Sequence, residues 1–217
     1  MNFEQARFNM VEQQIRPWDV LDGRVLSLLE TMLREDFVPV RYRKLAFADV
    51  AVPLEAGQVM MRPKIEARLL QALDLNEDET VLEIGTGSGF MTACLAALAK
   101  RVVSVELFEE LHREAAAKLA DKNVNNAELF VGDVMRGWQP EQAHDVVVVT
   151  GSVSEIPEQF LGWVNPGGRM FVIRGESPAM EALLMTRQDV TEWSVESLFE
   201  TDLQALVNAS REPEFEF

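Results

Sequence analysis

From Val81 to Phe90 the chain reads Val-Leu-Glu-Ile-Gly-Thr-Gly-Ser-Gly-Phe: a strand-forming run, glycines at every second position, then a helix-forming run over residues 90–100. A strand that turns into a helix on Gly85, Gly87 and Gly89 needs backbone conformations open to glycine. It also brings N–H groups to the helix start with no Cβ in the way, where an anionic ligand group is favoured. The rhythm continues downstream. The pattern predicts strands at 80–84, 102–105, 128–131, 145–150 and 169–173, with crossover helices at 90–100 and 109–122. Several strands are runs of Val, Ile and Leu, as parallel strands buried on both faces require. Segments 180–186 and 190–198 are expected to add strands at the sheet edge. Strand alternating with helix defines an α/β chain with a doubly wound, mostly parallel sheet.

The preceding residues read differently. Phe3, Ala6, Met10, Val11 and Ile15 follow a helical period that Pro17 should end. Asp22 can cap a second helix with an apolar stripe of Val25, Leu28, Leu29, Met32 and Leu33. Pro53, Gly57 and Pro63 punctuate a loop over 49–63, and a helix resumes at 64–73. The expectation is one domain over 1–217: a helical N-terminal extension with a substrate loop over 1–75, and a cofactor-binding sheet over 76–217.

Composition narrows the function. A formal charge of −16 opposes approach to a phosphate backbone, so nucleic acid is not expected as a partner. Residues 151–217 hold 12 Asp/Glu against 4 Lys/Arg, read as a solvated face or a partner-binding one. No apolar run reaches membrane-span length and the N-terminus lacks a signal-peptide layout, so no membrane association and a cytoplasmic location are expected. Cys94 is the one cysteine and reads as a small core residue. With only His112 and His144 beside it, no metal cluster is expected, and both histidines are read as surface residues. Phe90, Met91 and Leu95 are assigned to packing.

Two more carboxylates extend the glycine signal. Glu106 ends the second strand, where it can accept hydrogen bonds from both hydroxyls of a ribose. Asp133 follows the third strand in Val131-Gly132-Asp133. The spacing Gly-x-Gly-x-Gly departs from the dinucleotide pattern Gly-x-Gly-x-x-Gly, and Glu83 stands two residues before the first glycine. Acidic-x-Gly-x-Gly-x-Gly resembles the Rossmann-like class I methyltransferases, in which an aspartate at the third strand commonly pairs with the adenine amino group. That resemblance implies S-adenosylmethionine as cofactor and S-adenosylhomocysteine as product. The implied cofactor residues are Glu83, Gly85, Thr86, Gly87, Ser88, Gly89, Glu106, Leu107, Asp133 and Val134.

Over about residues 8–175 the chain is similar to the protein-L-isoaspartate O-methyltransferases. Arg34-Glu35-Asp36-Phe37-Val38-Pro39, Val52-Pro53-Leu54-Glu55-Ala56-Gly57-Gln58 and Glu155-Ile156-Pro157 resemble that family's segments, in order. The resemblance implies methyl transfer to the α-carboxylate of an isoaspartyl residue in a damaged protein or peptide. No acid–base pair is expected: a carboxylate is already ionised near neutral pH, and placement and water exclusion remain.

The substrate loop departs from the family. Where the family reads Thr-Ile-Ser and then Gln or Ala before Pro, this chain has Val59, Met60, Met61 and Arg62 before Pro63. Two hydroxyls are replaced by groups that cannot donate to a carboxylate. Arg62 could supply bidentate donors instead, or point into solvent. Two further functions stay open on these residues: transfer to another, small-molecule acceptor in a methionine-lined pocket, and an S-adenosylmethionine-binding interaction protein without catalysis. The tail Pro213-Glu214-Phe215-Glu216-Phe217 reads as a docked edge segment or a free end.

Overall fold

The computed structural model describes residues 2–209, so the aromatic tail lies outside the described residues. Helix α1 (Phe3–Met10) is capped by Asn2 and widens into a π turn over Val11–Ile15. A 3₁₀ turn at Arg16–Trp18 follows, ended by left-handed Asp19. Pro17 therefore does not stop the helix outright. Lacking an N–H, it sits where the ladder has already tightened. Asp22 caps α2 (Gly23–Thr31), accepting from the N–H groups of Arg24 and Val25. The short α3 (Arg34–Phe37) leads through a 3₁₀ turn to a two-stranded ribbon of β1 (Val52–Pro53) and β2 (Val59–Met60). The expected loop is thus a small hairpin, and Pro63 opens α4 (Pro63–Leu73) at a position that needs no donor.

From here the elements alternate: β3 (Thr80–Ile84), α5 (Phe90–Leu98), β4 (Arg101–Glu106), α6 (Glu109–Asp121), β5 (Ala127–Val131), β6 (His144–Val153), α7 (Glu158–Gly162) and β7 (Val164–Glu176). Then β8 (Ala179–Arg187) and β9 (Trp193–Thr201) turn back along the sheet. Strand β9 begins three residues later than expected, because residues 189–191 form the bend that reverses the chain. The sheet order is β5-β4-β3-β6-β7-β8-β9, parallel from β5 to β7 and antiparallel at β8 and β9. Order reverses between β3 and β6, so a crevice opens above their carboxyl ends, where such sheets take ligands.

Strand periodicity divides the core. Val81, Val102, Val146 and Phe171 face the side covered by the N-terminal extension, α4 and α5. Leu82, Val103, Val147 and Met170 face the side covered by Phe160, Trp163 and Trp138. His144 is buried beside that second layer, correcting its reading as a surface residue: the first residue of β6 is already paired, its N–H donating to the Trp163 carbonyl. Burial lowers its pKa, with the Arg101 charge acting in the same direction. Cys94 is fully buried on α5, as expected. No helix among the described residues is long and apolar enough to cross a membrane.

Candidate active site

The glycine loop is shaped by what surrounds it. Gly85 has φ +97°, and a Cβ there would run into the Thr150 hydroxyl, which donates between the carbonyls of Ile84 and Gly85 at 2.8 and 2.6 Å. Gly89 has φ +83° and faces Ala115 of α6, where an added Cβ would sit 3.1 Å from the alanine methyl. Glycine lets the loop turn and lets α5 and α6 close behind it.

Glu106, at the end of β4, ties this loop to the neighbouring strand. Its Oε2 accepts the Gly87 N–H at 2.8 Å and its Oε1 accepts the Phe108 N–H at 3.0 Å. Each oxygen keeps a second acceptor position. At the end of β5, Asp133 accepts the Met135 N–H at 2.9 Å through Oδ1 and the Asn208 side-chain amide at 2.8 Å through Oδ2.

These groups converge on an open cavity. Gly85, Thr86, Gly87, Ser88, Glu106, Leu107, Asp133 and Val134 line it from the sheet side. Val59, Met60 and Met61 line it from the hairpin. Cofactor-side and substrate-side residues predicted from separate stretches of chain thus share one space.

Three expected site residues lie off the lining. Gly89 is behind the loop, against α6. Arg62 is exposed at the start of α4, on the solvent side of Met61. Glu83 lies beneath the cavity floor, because side chains alternate along β3 and it is the next residue, Ile84, that reaches the lining. It is fully buried, its Oε2 accepting from the hydroxyls of Thr92 at 2.5 Å and Ser104 at 2.6 Å. Ser104 in turn meets Thr86 at 2.6 Å, so Glu83 reaches the cavity through a relay of hydroxyls. Burial pushes its carboxyl up to about 8, the Glu106 charge adds to this, and the two hydroxyls oppose it.

Other lining residues gave no signal in the sequence. Met91, assigned to packing, also lines the cavity, because α5 enters at its rim. Glu66 of α4 lines it too, in a bidentate pair with the buried Arg34 at 3.0 and 3.2 Å. Burial raises the Glu66 pKa while Arg34 pulls against it. The same guanidinium donates to the carbonyls of Met61 and Ala46, both at 2.7 Å, and so pins the end of the hairpin. The outer wall is the segment from Leu203 to Val207, laid beside Ser152 by a parallel bridge at Ala205 and joined to the hairpin where the Gln204 amide donates to the Gly57 carbonyl at 3.0 Å.

A doubly wound sheet with a glycine loop and two strand-end carboxylates around one crevice defines a Rossmann-like protein of the methyltransferase class. The sequence profile of the family "Protein-L-isoaspartate(D-aspartate) O-methyltransferase" matches residues 5–209. Protein-L-isoaspartate O-methyltransferase 2 of Pelobacter propionicus is 36% identical over 187 residues, covering 86% of this chain and 83% of the relative. Protein-L-isoaspartate O-methyltransferase 1 of Rhodopseudomonas palustris is 35% identical over 207 residues, covering 95% and 84%. The chain belongs to the protein-L-isoaspartate O-methyltransferase family. Its fold matches that of a Plasmodium falciparum candidate member crystallised with S-adenosyl-L-homocysteine, with a TM-score of 0.78 at 17% identity over 96% of this chain and 99% of that one.

Proposed function

We propose that this protein is an S-adenosylmethionine-dependent O-methyltransferase that esterifies the α-carboxylate of isoaspartyl residues in damaged proteins or peptides of the cytoplasm. The observation that carries the reading is the single cavity in which the glycine loop, Glu106 and Asp133 meet the Val59–Met61 hairpin. The residues fit the cofactor. Glu106, fixed by two backbone N–H groups, keeps acceptor capacity for two ribose hydroxyls, and Asp133 keeps it for an exocyclic amine.

Bound S-adenosylmethionine would supply a methyl already activated on sulfonium, to be passed to the carboxylate oxygen with the S–CH₃ electron pair left on sulfur. The chain's part is placement and exclusion of water. Met60, Met61, Met91 and Leu54 give the cavity an apolar wall. Val59 and Met61 bring no hydroxyl, so acceptor orientation falls to backbone N–H groups and to Gln58, a lining residue whose amide also donates to the Ala56 carbonyl at 3.2 Å.

The test is methyl transfer from labelled S-adenosylmethionine to an isoaspartyl peptide beside the ordinary aspartyl peptide, with cofactor binding measured on the same sample. Transfer to the isoaspartyl peptide alone is expected. Binding without transfer to either peptide would overturn the acceptor assignment, and no binding would overturn the cofactor assignment.

A further inference from the structure

The cavity's outer wall comes from the far end of the described chain, and its attachments are unevenly distributed. In the middle, Ser152 holds it three times: its N–H donates to the Gln204 carbonyl at 3.0 Å, its carbonyl accepts the Leu206 N–H at 2.9 Å, and its hydroxyl donates to the Leu203 carbonyl at 2.8 Å. Gly151 leaves room for Leu206, since a Cβ there would meet the leucine side chain at 2.7 Å. This centre needs no further anchor. Yet one residue past the wall, Asn208 turns into the left-handed region at φ +67° and reaches back to Asp133. Asparagine tolerates that conformation but still bears a cost there, which surrounding interactions must offset.

The partners of Asp133 say what the contact does. Oδ1 is taken by the Met135 N–H, a bond local to the turn. Among the described residues the nearest cation, Arg136, stands 3.9 Å from Oδ2 and is itself exposed. Asn208 is thus the hydrogen-bond donor that fixes the second oxygen, and with it the plane of a carboxylate at the rim of the cavity. A carboxylate held at both oxygens presents its remaining lone pairs in one direction, which lets it tell a donor from an acceptor at the group it faces.

We infer that Asn208 is a positioning residue for the cofactor: by orienting Asp133 it makes the site selective for a 6-amino purine over a 6-oxo purine. The inference rests on the cofactor reading above. It assigns to the C-terminal segment a part in nucleobase recognition, beyond that of a wall.

Calorimetric binding of S-adenosylhomocysteine and of its 6-oxo analogue, S-inosylhomocysteine, tests this directly. The informative variant is Asn208→Gly, which adopts the left-handed backbone freely and removes only the amide. It should weaken S-adenosylhomocysteine by about 3- to 10-fold, the worth of one lost orienting hydrogen bond. S-inosylhomocysteine binding should be unchanged, so that the preference narrows. Gln204→Ala, which frees the other end of the wall, should leave the preference intact. Equal weakening of both ligands by Asn208→Gly would overturn the proposal in favour of simple wall packing, as would no change in either. Wild-type protein that binds neither ligand would remove the cofactor reading itself.

Discussion

The Gly87 N–H donates to the Glu106 carboxylate at 2.8 Å, joining the glycine loop to the next strand across 19 residues of sequence. The loop therefore does not hold its shape alone, and the residue proposed to bind ribose also sets the loop that would carry the rest of the cofactor. Glu106→Ala removes both roles. Cofactor affinity should fall by about 1–3 kcal/mol, the cost of lost hydrogen bonds to a charged acceptor. Calorimetry with S-adenosylhomocysteine measures this, and unchanged affinity would contradict the ribose assignment.

Glu83 predicts a pH dependence of stability. Its carboxyl titrates near 8 in the folded protein, raised from 4.5 by burial. Between those values the folded state holds a proton that the unfolded chain has released, so stability is full below the unfolded value and declines as pH rises towards 8. Glu83→Gln cannot titrate. It should match the parent at pH 4 and exceed it at pH 8 by on the order of 4 kcal/mol. Urea unfolding at the two pH values tests the sign, and parallel pH profiles would refute it.

Met61 separates stability from activity. It is buried at the cavity wall, at the position where the sequence resemblance sets a serine. Met61→Ser should cost about 2–4 kcal/mol of stability from the vacated volume. It should also raise kcat/KM for an isoaspartyl peptide about tenfold through one new hydrogen bond to the carboxylate. Thermal melts and methyl-transfer assays check the two effects independently.

The Arg34–Glu66 pair predicts strong non-additivity. Arg34→Met strands a buried carboxylate and should destabilise by about 3–5 kcal/mol. Pairing it with Glu66→Met should recover much of that loss, because no charge is then left unpaired. A double-mutant cycle in urea measures the coupling. Hairpin placement should still suffer in the double variant, since the Met61 and Ala46 carbonyls lose their donor.

Much of this architecture was legible in the chain. Strands β3 to β6, the glycine turn, the Asp22 cap and the two carboxylates at strand ends follow from periodicity and spacing within a few residues, which local sterics and burial enforce, whereas β7 at Val164–Glu176 begins well before the expected 169. The helix start at Pro63 and the hairpin at β1 and β2 were less so, because a proline punctuates a loop and opens a helix with the same fixed φ.

What the sequence by itself determined is the order of elements and the set of groups delivered to the carboxyl edge of the sheet. Only the tertiary structure decided their depth and their neighbours. It sank Glu83 beneath the floor and closed the cavity with residues 203–207. It joined Gln204 to Gly57 across 147 positions, and Asn208 to Asp133 across 75. Pattern reasoning reads periodicities enforced by the neighbouring turn or strand residue. Contacts between distant segments leave no such period, because they arise only once the sheet has fixed where each segment ends.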